Sequence, residues 1–187
     1  RLRNLALDND HAHVDFPKLR RGGVDGSFFA LYVPAALDSE EAFTYADVLL
    51  SDVTRTVEAN KDTADFAVSA EGAFMNKDKG LFSVFLGLEN GSAIGESFER
   101  LKYFYDNGIR YVTLCHSADN QICDSCASST KRWGGLSPFG KELVSEMNRM
   151  GMLIDVSHAS DDTFYAVLEC SAAPVVATHS CCRALAD

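Results

Sequence analysis

The stretch GLSPFGKELVSEMNRMGMLIDVSH, residues 135–158, predicts a helix that leads into a buried strand with a polar residue at its end. The helix is expected over Ser137–Met150, because its first residue is a suitable N-cap, proline fits its first turn and Gly151 terminates it. Met152–Val156 is largely apolar, as is typical of a short strand buried on both faces. His158 follows this strand closely. The stretch is therefore one helix–strand unit of a parallel α/β fold.

Helical and strand-like segments alternate in the same way through the rest of the chain. Helices are indicated where apolar residues recur at intervals of three and four, and strands where short apolar runs stand between the helices. The longest helix is expected to start at Ser39, which two glutamates follow. The further strands are expected near Leu5–Asp10 and at Phe28–Pro34, Leu81–Leu88, Tyr111–Cys115 and Pro174–Thr178, and the further helices at Ser39–Asn60, Glu96–Asn107 and Ser160–Cys170.

This alternation predicts parallel strands with covering helices, an arrangement that fits two architectures. An open doubly wound sheet is complete at this length, but the sequence lacks the GxGxxG and P-loop motifs of nucleotide-binding sheets. A (β/α)8 barrel has eight strands and typically about 250 residues, and it keeps its functional residues at the ends of its strands. We therefore predict one domain over residues 1–187. It is the N-terminal part of a TIM-type (β/α)8 barrel, C-terminally truncated after about six of eight strands.

The composition predicts a single folded domain and disfavours some classes of partner. The 187 residues are 47% hydrophobic, which is enough to build a sizeable core. The 17 basic and 27 acidic residues give a net charge of −10, so nucleic acid and anionic membranes are poor candidates for partners. No apolar run in the sequence approaches the roughly 20 residues of a membrane-spanning helix.

Six cysteines leave the redox compartment open. Cys123 and Cys126 form a C-x-x-C motif, but a structural zinc site normally needs a second pair at matching spacing, and Cys181 and Cys182 are adjacent. Disulfides or free thiols are therefore preferred over a structural zinc. The chain begins at Arg1, so the lack of a visible signal peptide says little about targeting. An exported location (periplasmic, extracellular or membrane-anchored) is slightly favoured over the cytoplasm.

Histidine and carboxylate side chains recur at one position of the expected strand–loop units. A single histidine at the end of a strand is more often a structural residue than a metal ligand. The carboxyl ends of parallel strands meet at one rim, however, so repetition of this position predicts side chains that converge on one site. The residues at this position are His13, Asp15, Glu89, His116, His158 and His179.

Five of these residues, all except His116, are candidate ligands, and their types and spacing favour a site for two divalent metal ions. His13 and Asp15 are two residues apart and so face the same side of an extended chain. Glu89 can bridge two ions through its two oxygens, and His158 and His179 can complete the shell of the second ion. Two ions about 3.5–4 Å apart hold a bridging hydroxide and polarise a carbonyl group.

Several stretches closely resemble the membrane dipeptidase (renal dipeptidase) family of zinc peptidases. They are HVDFP, GLENGSAIG, YVTLCHSADN, APVVATHS and, most specifically, residues 135–158, and the resemblance runs from about Leu5 to the end of the chain. It implies that the predicted TIM-type barrel is of the metal-dependent hydrolase kind, an amidohydrolase-type barrel with about two Zn²⁺ ions per complete chain and a dipeptide as substrate. Since family members often dimerise, it also implies a homodimer.

The resemblance implies roles for individual residues. His13 and Asp15 bind one zinc, Glu89 bridges the two ions, and His158 and His179 bind the second zinc. The implied reaction is attack by the metal-bridging hydroxide on the peptide carbonyl, followed by departure of the amine, with Glu89 part of the catalytic centre.

His116 resembles the family's histidine that contacts the substrate and the tetrahedral intermediate. Three features depart from the family pattern. His11 stands where an acidic residue is usual, and it is kept as an outer-shell or alternative ligand. The family's proton-shuttle aspartate is expected beyond Asp187. Its substrate-binding arginine is also expected there, because Arg183 is too close to His179 for that role. We therefore expect the isolated 187-residue chain to be inactive.

Three functions are compatible with these residues. The leading hypothesis is a zinc-dependent dipeptidase. The first alternative is a related amidohydrolase that acts on N-acyl amino acids or lactams, since the specificity loops cannot be identified from the sequence. The second alternative is a catalytically silent metal-binding homologue, which the intact set of candidate ligands argues against.

Overall fold

The computed structural model describes Leu5, Asp8, Asp10 and residues 12–185, which form alternating helices and strands. The strands are β1 (Gly26–Tyr32), β2 (Ala64–Phe66), β3 (Phe82–Glu89), β4 (Ile109–Thr113) and β5 (Leu153–Asp155). The helices are α1 (Phe16–Arg21), α2 (Ser39–Glu58), α3 (Ala70–Asp78), α4 (Phe98–Asp106), α5 (Pro138–Met150) and α6 (Asp161–Cys170), with short 3-10 helices at Gly91–Ile94 and Arg183–Leu185. No helix in these residues is long and apolar enough to cross a membrane.

The strands form one parallel sheet in the order β1-β3-β4-β5, and β2 pairs with the first part of β3. The register aligns the strand ends, because Tyr32 is paired with Glu89, Glu89 with Thr113, and Thr113 with Asp155. A further parallel bridge between Asp155 and Val176 extends this order by one position. The carboxyl ends of these segments therefore meet at one rim of the sheet.

One face of the sheet carries the hydrophobic core, and the other carries aromatic rings. The core-facing side chains alternate along the strands and pack with buried residues of the helices. They include Leu31, Val84, Leu86, Leu88, Val112 and Ile154. On the opposite face, the ring of Phe28 lies 5.0 Å from that of Phe85 and 5.1 Å from that of Tyr111, and Phe28 is 41% exposed. The parallel α/β fold is thus confirmed, while closure of a barrel over this second face stays a prediction.

The helix and strand limits differ from the sequence expectation at a few positions. α2 is capped by Asp38 and not by Ser39. The Asp38 carboxylate accepts from the backbone N–H of Glu41, and the Glu41 carboxylate accepts from that of Asp38, so the two form a capping box. The expected strand at Pro174–Thr178 is reduced to a single bridge. The strand expected near Leu5–Asp10 falls largely outside the described residues.

Candidate metal centre

The structure brings four of the candidate residues together at the rim. Glu89 is the last residue of β3, and His116 and His158 lie in the segments that follow β4 and β5. His179 comes shortly after Val176, which pairs with the end of β5. Each side chain reaches the rim because its segment of the sheet ends there.

The ligand atoms of these four residues are close enough to share a cation. Glu89 Oε1 lies 3.6 Å from Nε2 of both His158 and His179, and 3.8 Å from Nε2 of His116. The Nε2 atoms of His158 and His179 are 2.8 Å apart. Three ligand atoms, one each from Glu89, His116 and His158, all lie within 4.8 Å of one another. Bonds of about 2.0–2.2 Å from zinc to nitrogen and oxygen place ligand atoms at comparable separations.

The chemistry of this donor set fits a divalent metal. Burial lowers the pKa of His158, the neighbouring His116 and His179 lower it further, and Glu89 opposes them. A neutral imidazole keeps the lone pair that binds metal. The nitrogens of His158 and His179, 2.8 Å apart, must share either a proton or a cation, because two facing lone pairs repel. Two imidazoles and one carboxylate are also the ligands of several catalytic zinc sites.

His116 lies at the edge of the cluster and packs against an aromatic ring from β1. The rings of His116 and Tyr32 meet edge to face at 4.9 Å, and Tyr32 is 41% exposed at the end of its strand. Nδ1 of His116 is buried, and it has no hydrogen-bond partner among the described residues. This packing fixes the ring while leaving Nε2 directed toward the carboxylate of Glu89.

A buried carboxylate, Asp155, lies at the end of β5 and was not predicted to be functional. Burial raises its pKa, but hydrogen bonds from Thr113, Thr178 and Ser157 lower the pKa more, so that its net pKa is below the ordinary value. Burial also raises the pKa of Tyr111 to about 12, with Asp155 and Glu89 contributing through their charges. The signal in the sequence was an aspartate inside an otherwise apolar strand.

The loop after β4 holds the backbone of His158. His158 has a φ of 67°, a left-handed conformation that is uncommon for residues other than glycine. Its carbonyl accepts a hydrogen bond from the N–H of Cys126 (2.9 Å), and the hydroxyl of Ser125, which donates to the carbonyl of His116, lies 3.3 Å from it. The C-x-x-C motif therefore contributes a backbone contact. The two thiols of the motif differ in exposure, since Cys123 is buried and Cys126 is exposed. All six cysteines are free.

His13 and Asp15 are not brought into this cluster. Asp15 is fully buried as the N-cap of α1, and its Oδ1 accepts from the backbone N–H of Lys18 at 2.8 Å. Its Oδ2 accepts from the ammonium group of Lys18 at 2.7 Å. His13 is exposed, and His11 lies outside the described residues. The segment FPKLRR, residues 16–21, forms α1, and this gives Asp15 a capping partner and an ion-pairing partner. The assignment of His13 and Asp15 as metal ligands thus stays a prediction without support from these contacts.

The Asp15→Ala substitution separates the two interpretations of this residue. If Asp15 serves as the cap of α1, the variant loses stability by about 2 kcal/mol, since a lost N-cap costs about 0.5–2 kcal/mol and the ammonium group of Lys18 loses a close ion pair. Its metal content is expected to equal that of the wild type. Chemical denaturation and elemental analysis of the same samples measure both quantities. Ser69→Ala, which removes the N-cap of α3, is the matched control. Loss of metal with unchanged stability would instead make Asp15 a ligand.

The parallel sheet with histidines and a carboxylate at its strand ends defines a parallel α/β protein with a candidate metal centre. Residues 2–187 match the model of the membrane dipeptidase family, peptidase family M19. The chain therefore belongs to the membrane dipeptidase family, as its sequence motifs predicted.

Named relatives and solved structures agree with this assignment. The chain is similar to the dipeptidase aclJ of Aspergillus oryzae, with 35% identity over 186 residues that cover 95% of this chain and 44% of that protein. The crystal structure of the probable dipeptidase PvdM from Pseudomonas aeruginosa superposes with a TM-score of 0.90 and 27% identity, covering 96% of this chain and 49% of the other. The crystal structure of a metallopeptidase from Rhodobacter sphaeroides, bound to a phosphinate mimic of the dipeptide L-Ala-D-Ala, superposes with a TM-score of 0.84 and 25% identity. The match covers 92% of this chain and 57% of the other. The chain spans about half the length of the curated relatives it matches.

Proposed function

We propose that the complete protein is a zinc-dependent dipeptidase. The observation that carries this proposal is the convergence of Glu89 Oε1 with the Nε2 atoms of His158 and His179, 3.6 Å from each, at the rim of a parallel sheet. Membership of the membrane dipeptidase family supports a dipeptide as the substrate. The phosphinate dipeptide mimic bound to the related Rhodobacter sphaeroides enzyme supports the same class of substrate.

Glu89, His158 and His179 would hold the metal through one carboxylate oxygen and two imidazole nitrogens. When bound, zinc lowers the pKa of a coordinated water to about 7 and polarises a carbonyl group, which supplies a nucleophile and an electrophile at neutral pH. Glu89 contributes the negative charge that offsets part of the cation's charge. A second zinc, for which Glu89, His13 and Asp15 would be the ligands, stays a prediction from the sequence.

His116 is proposed to act on the substrate. Its Nε2 lies 3.8 Å from Glu89 Oε1, at the edge of the cluster, so a hydrogen on Nε2 can reach an oxygen of a bound substrate. Donors placed where negative charge develops stabilise the tetrahedral intermediate of peptide hydrolysis. Contact with the Tyr32 ring limits rotation of the imidazole and so keeps this donor in place. Homodimerisation and an exported location stay predictions.

The proposal is tested with the complete protein. We expect it to contain zinc by elemental analysis and to hydrolyse L,L- or L,D-dipeptides, with activity lost in the presence of a chelator and restored by Zn²⁺. Hydrolysis confined to N-acyl amino acids or lactams would replace the dipeptidase by a related amidohydrolase. Bound metal without turnover of any of these compounds would identify a catalytically silent homologue.

A further inference from the structure

His179 is connected to the buried carboxylate of Asp155 through one threonine hydroxyl. The Thr178 Oγ1 lies 2.7 Å from Asp155 Oδ2 and 2.8 Å from Nδ1 of His179. The backbone N–H of Thr178 also donates to Asp155 Oδ1 at 3.0 Å. Asp155 is fully buried at the end of β5, so this chain of contacts begins inside the protein and ends at the metal centre.

The direction of these hydrogen bonds follows from the number of hydrogens that each group can donate. An ionised carboxylate only accepts, whereas a hydroxyl carries a single hydrogen. Asp155 also accepts from the hydroxyls of Thr113 (2.6 Å) and Ser157 (2.8 Å) and from the N–H of Ser157 (3.0 Å), all of which favour its charged form. Thr178 therefore gives its only hydroxyl hydrogen to Asp155. Its oxygen can then only accept from His179, which places a hydrogen on Nδ1.

We infer that Asp155 and Thr178 position His179 by fixing the tautomer of its imidazole. With a hydrogen on Nδ1, a neutral His179 has a bare Nε2, the atom that lies 3.6 Å from Glu89 Oε1 and 2.8 Å from Nε2 of His158. In the metal-free protein, His158 then supplies the hydrogen between the two rings. A metal ion takes the place of that hydrogen.

Ser157 fixes the backbone of the same histidine. Its hydroxyl donates to Asp155 Oδ1 at 2.8 Å, and its oxygen accepts from the backbone N–H of His179 at 3.1 Å. Asp155 thus holds the ring of His179 through Thr178 and the main chain of His179 through Ser157. Partners of this kind commonly change metal affinity about 10–100-fold when they are removed. The inference rests on the proposed function for its consequence, but the tautomer is a property of the metal-free chain.

The test compares three variants of the complete protein: Thr178→Val, Thr178→Ser and Thr163→Val. Valine keeps the shape of threonine without the hydroxyl, and serine restores the hydroxyl. Thr163 is a matched control, because its buried hydroxyl donates to the carbonyl of Asp124 (2.8 Å) and takes no part in the contacts of His179. Nitrogen-15 NMR of histidine-labelled, metal-free protein reports which ring nitrogen of His179 carries hydrogen, with the signal assigned from a His179→Asn sample.

We expect the Nδ1–H form in the wild type, in Thr178→Ser and in Thr163→Val, and loss of that preference in Thr178→Val. A wild-type His179 with hydrogen on Nε2, or an unchanged tautomer in Thr178→Val, would overturn the inference. Zinc titration then measures its consequence: Thr178→Val should bind zinc about 10–100-fold more weakly than Thr178→Ser. Equal affinities would refute the positioning role. Failure of the wild type to bind zinc would contradict the proposed function, and the NMR result would still decide the tautomer.

Discussion

Glu89→Gln is expected to abolish stoichiometric zinc binding and dipeptide hydrolysis in the complete protein. Glu89 Oε1 lies within 3.8 Å of the Nε2 atoms of all three histidines, so it is the common neighbour of the candidate ligands. The amide is nearly isosteric but carries no charge, and a cation held by imidazoles alone keeps its full charge uncompensated. Loss of an outer partner already costs about 10–100-fold in metal affinity, and loss of the central carboxylate should exceed about 100-fold. Zinc content after dialysis and dipeptide turnover measure the effect.

The same substitution should leave the metal-free fold almost unchanged. The Glu89 carboxylate faces imidazoles at distances above normal hydrogen-bond length, so its removal strands no buried cation. We expect a free energy of unfolding within about 0.5 kcal/mol of the wild-type value in the presence of a chelator, as for substitutions that break no packing or hydrogen bond. Glu58→Gln, on the exposed last turn of α2, serves as the control. Full zinc content and turnover in Glu89→Gln would exclude Glu89 as a ligand.

The common position of the strand ends could be predicted from the sequence, because all strands of a parallel sheet run in the same direction. Once short apolar runs alternate with helices, their carboxyl ends must share one rim, and polar residues placed there must approach one another. The strand-end pattern predicted that Glu89, His116, His158 and His179 lie close together, as they do in the structure. The same pattern included His13 and Asp15, which do not join this cluster. The metal roles of these residues stay predictions, since proximity alone does not identify a ligand.

The role of Asp15 could not be predicted from its pattern alone. A histidine and an aspartate two residues apart fit a metal site on an extended chain, and an aspartate before an apolar residue and proline fits the N-cap of a helix. In the folded chain the backbone N–H and the ammonium group of Lys18 each donate to one carboxylate oxygen of Asp15, which supports the N-cap interpretation, while the metal role stays a prediction. A lysine three residues away is too common a feature to indicate such a pair beforehand.

Some elements gave no usable periodicity. β2 contains three residues, too few to show alternation, and its pairing with β3 depends on contacts distant in sequence. α3 has no apolar face, since of its nine residues only Asn76 is buried. That side chain donates to the carbonyl of Phe66 and to the hydroxyl of Ser83, so a polar contact fixes the helix against the sheet. Hydrophobic patterns cannot reveal an element that is held in this way.

Asp155→Asn is expected to destabilise the protein by about 1–3 kcal/mol at pH 7, the usual cost of leaving buried hydrogen-bonding groups without their partner. The wild-type carboxylate accepts from three hydroxyls, of Thr113, Ser157 and Thr178, and from two backbone N–H groups. An asparagine amide presents two hydrogens to this set of donors and leaves several of them without an acceptor. Because Thr178 and Ser157 also contact His179, the variant should bind zinc more weakly as well.

The pH dependence of this difference identifies its cause. The folded-state pKa of Asp155 lies below the value of about 3.9 for an unfolded chain, so the carboxylate's contribution to stability is fully present above that value. It is lost as the pH falls through the lowered folded-state pKa, where the native carboxylate takes up a proton. Urea denaturation of the wild type and Asp155→Asn should therefore give curves that differ most at pH 7 and approach one another below about pH 4. Asp106→Asn, at an exposed ion pair with Lys102, controls for general charge effects. A gap between wild type and Asp155→Asn that stayed constant down to low pH would show that shape, and not ionisation, makes Asp155 necessary.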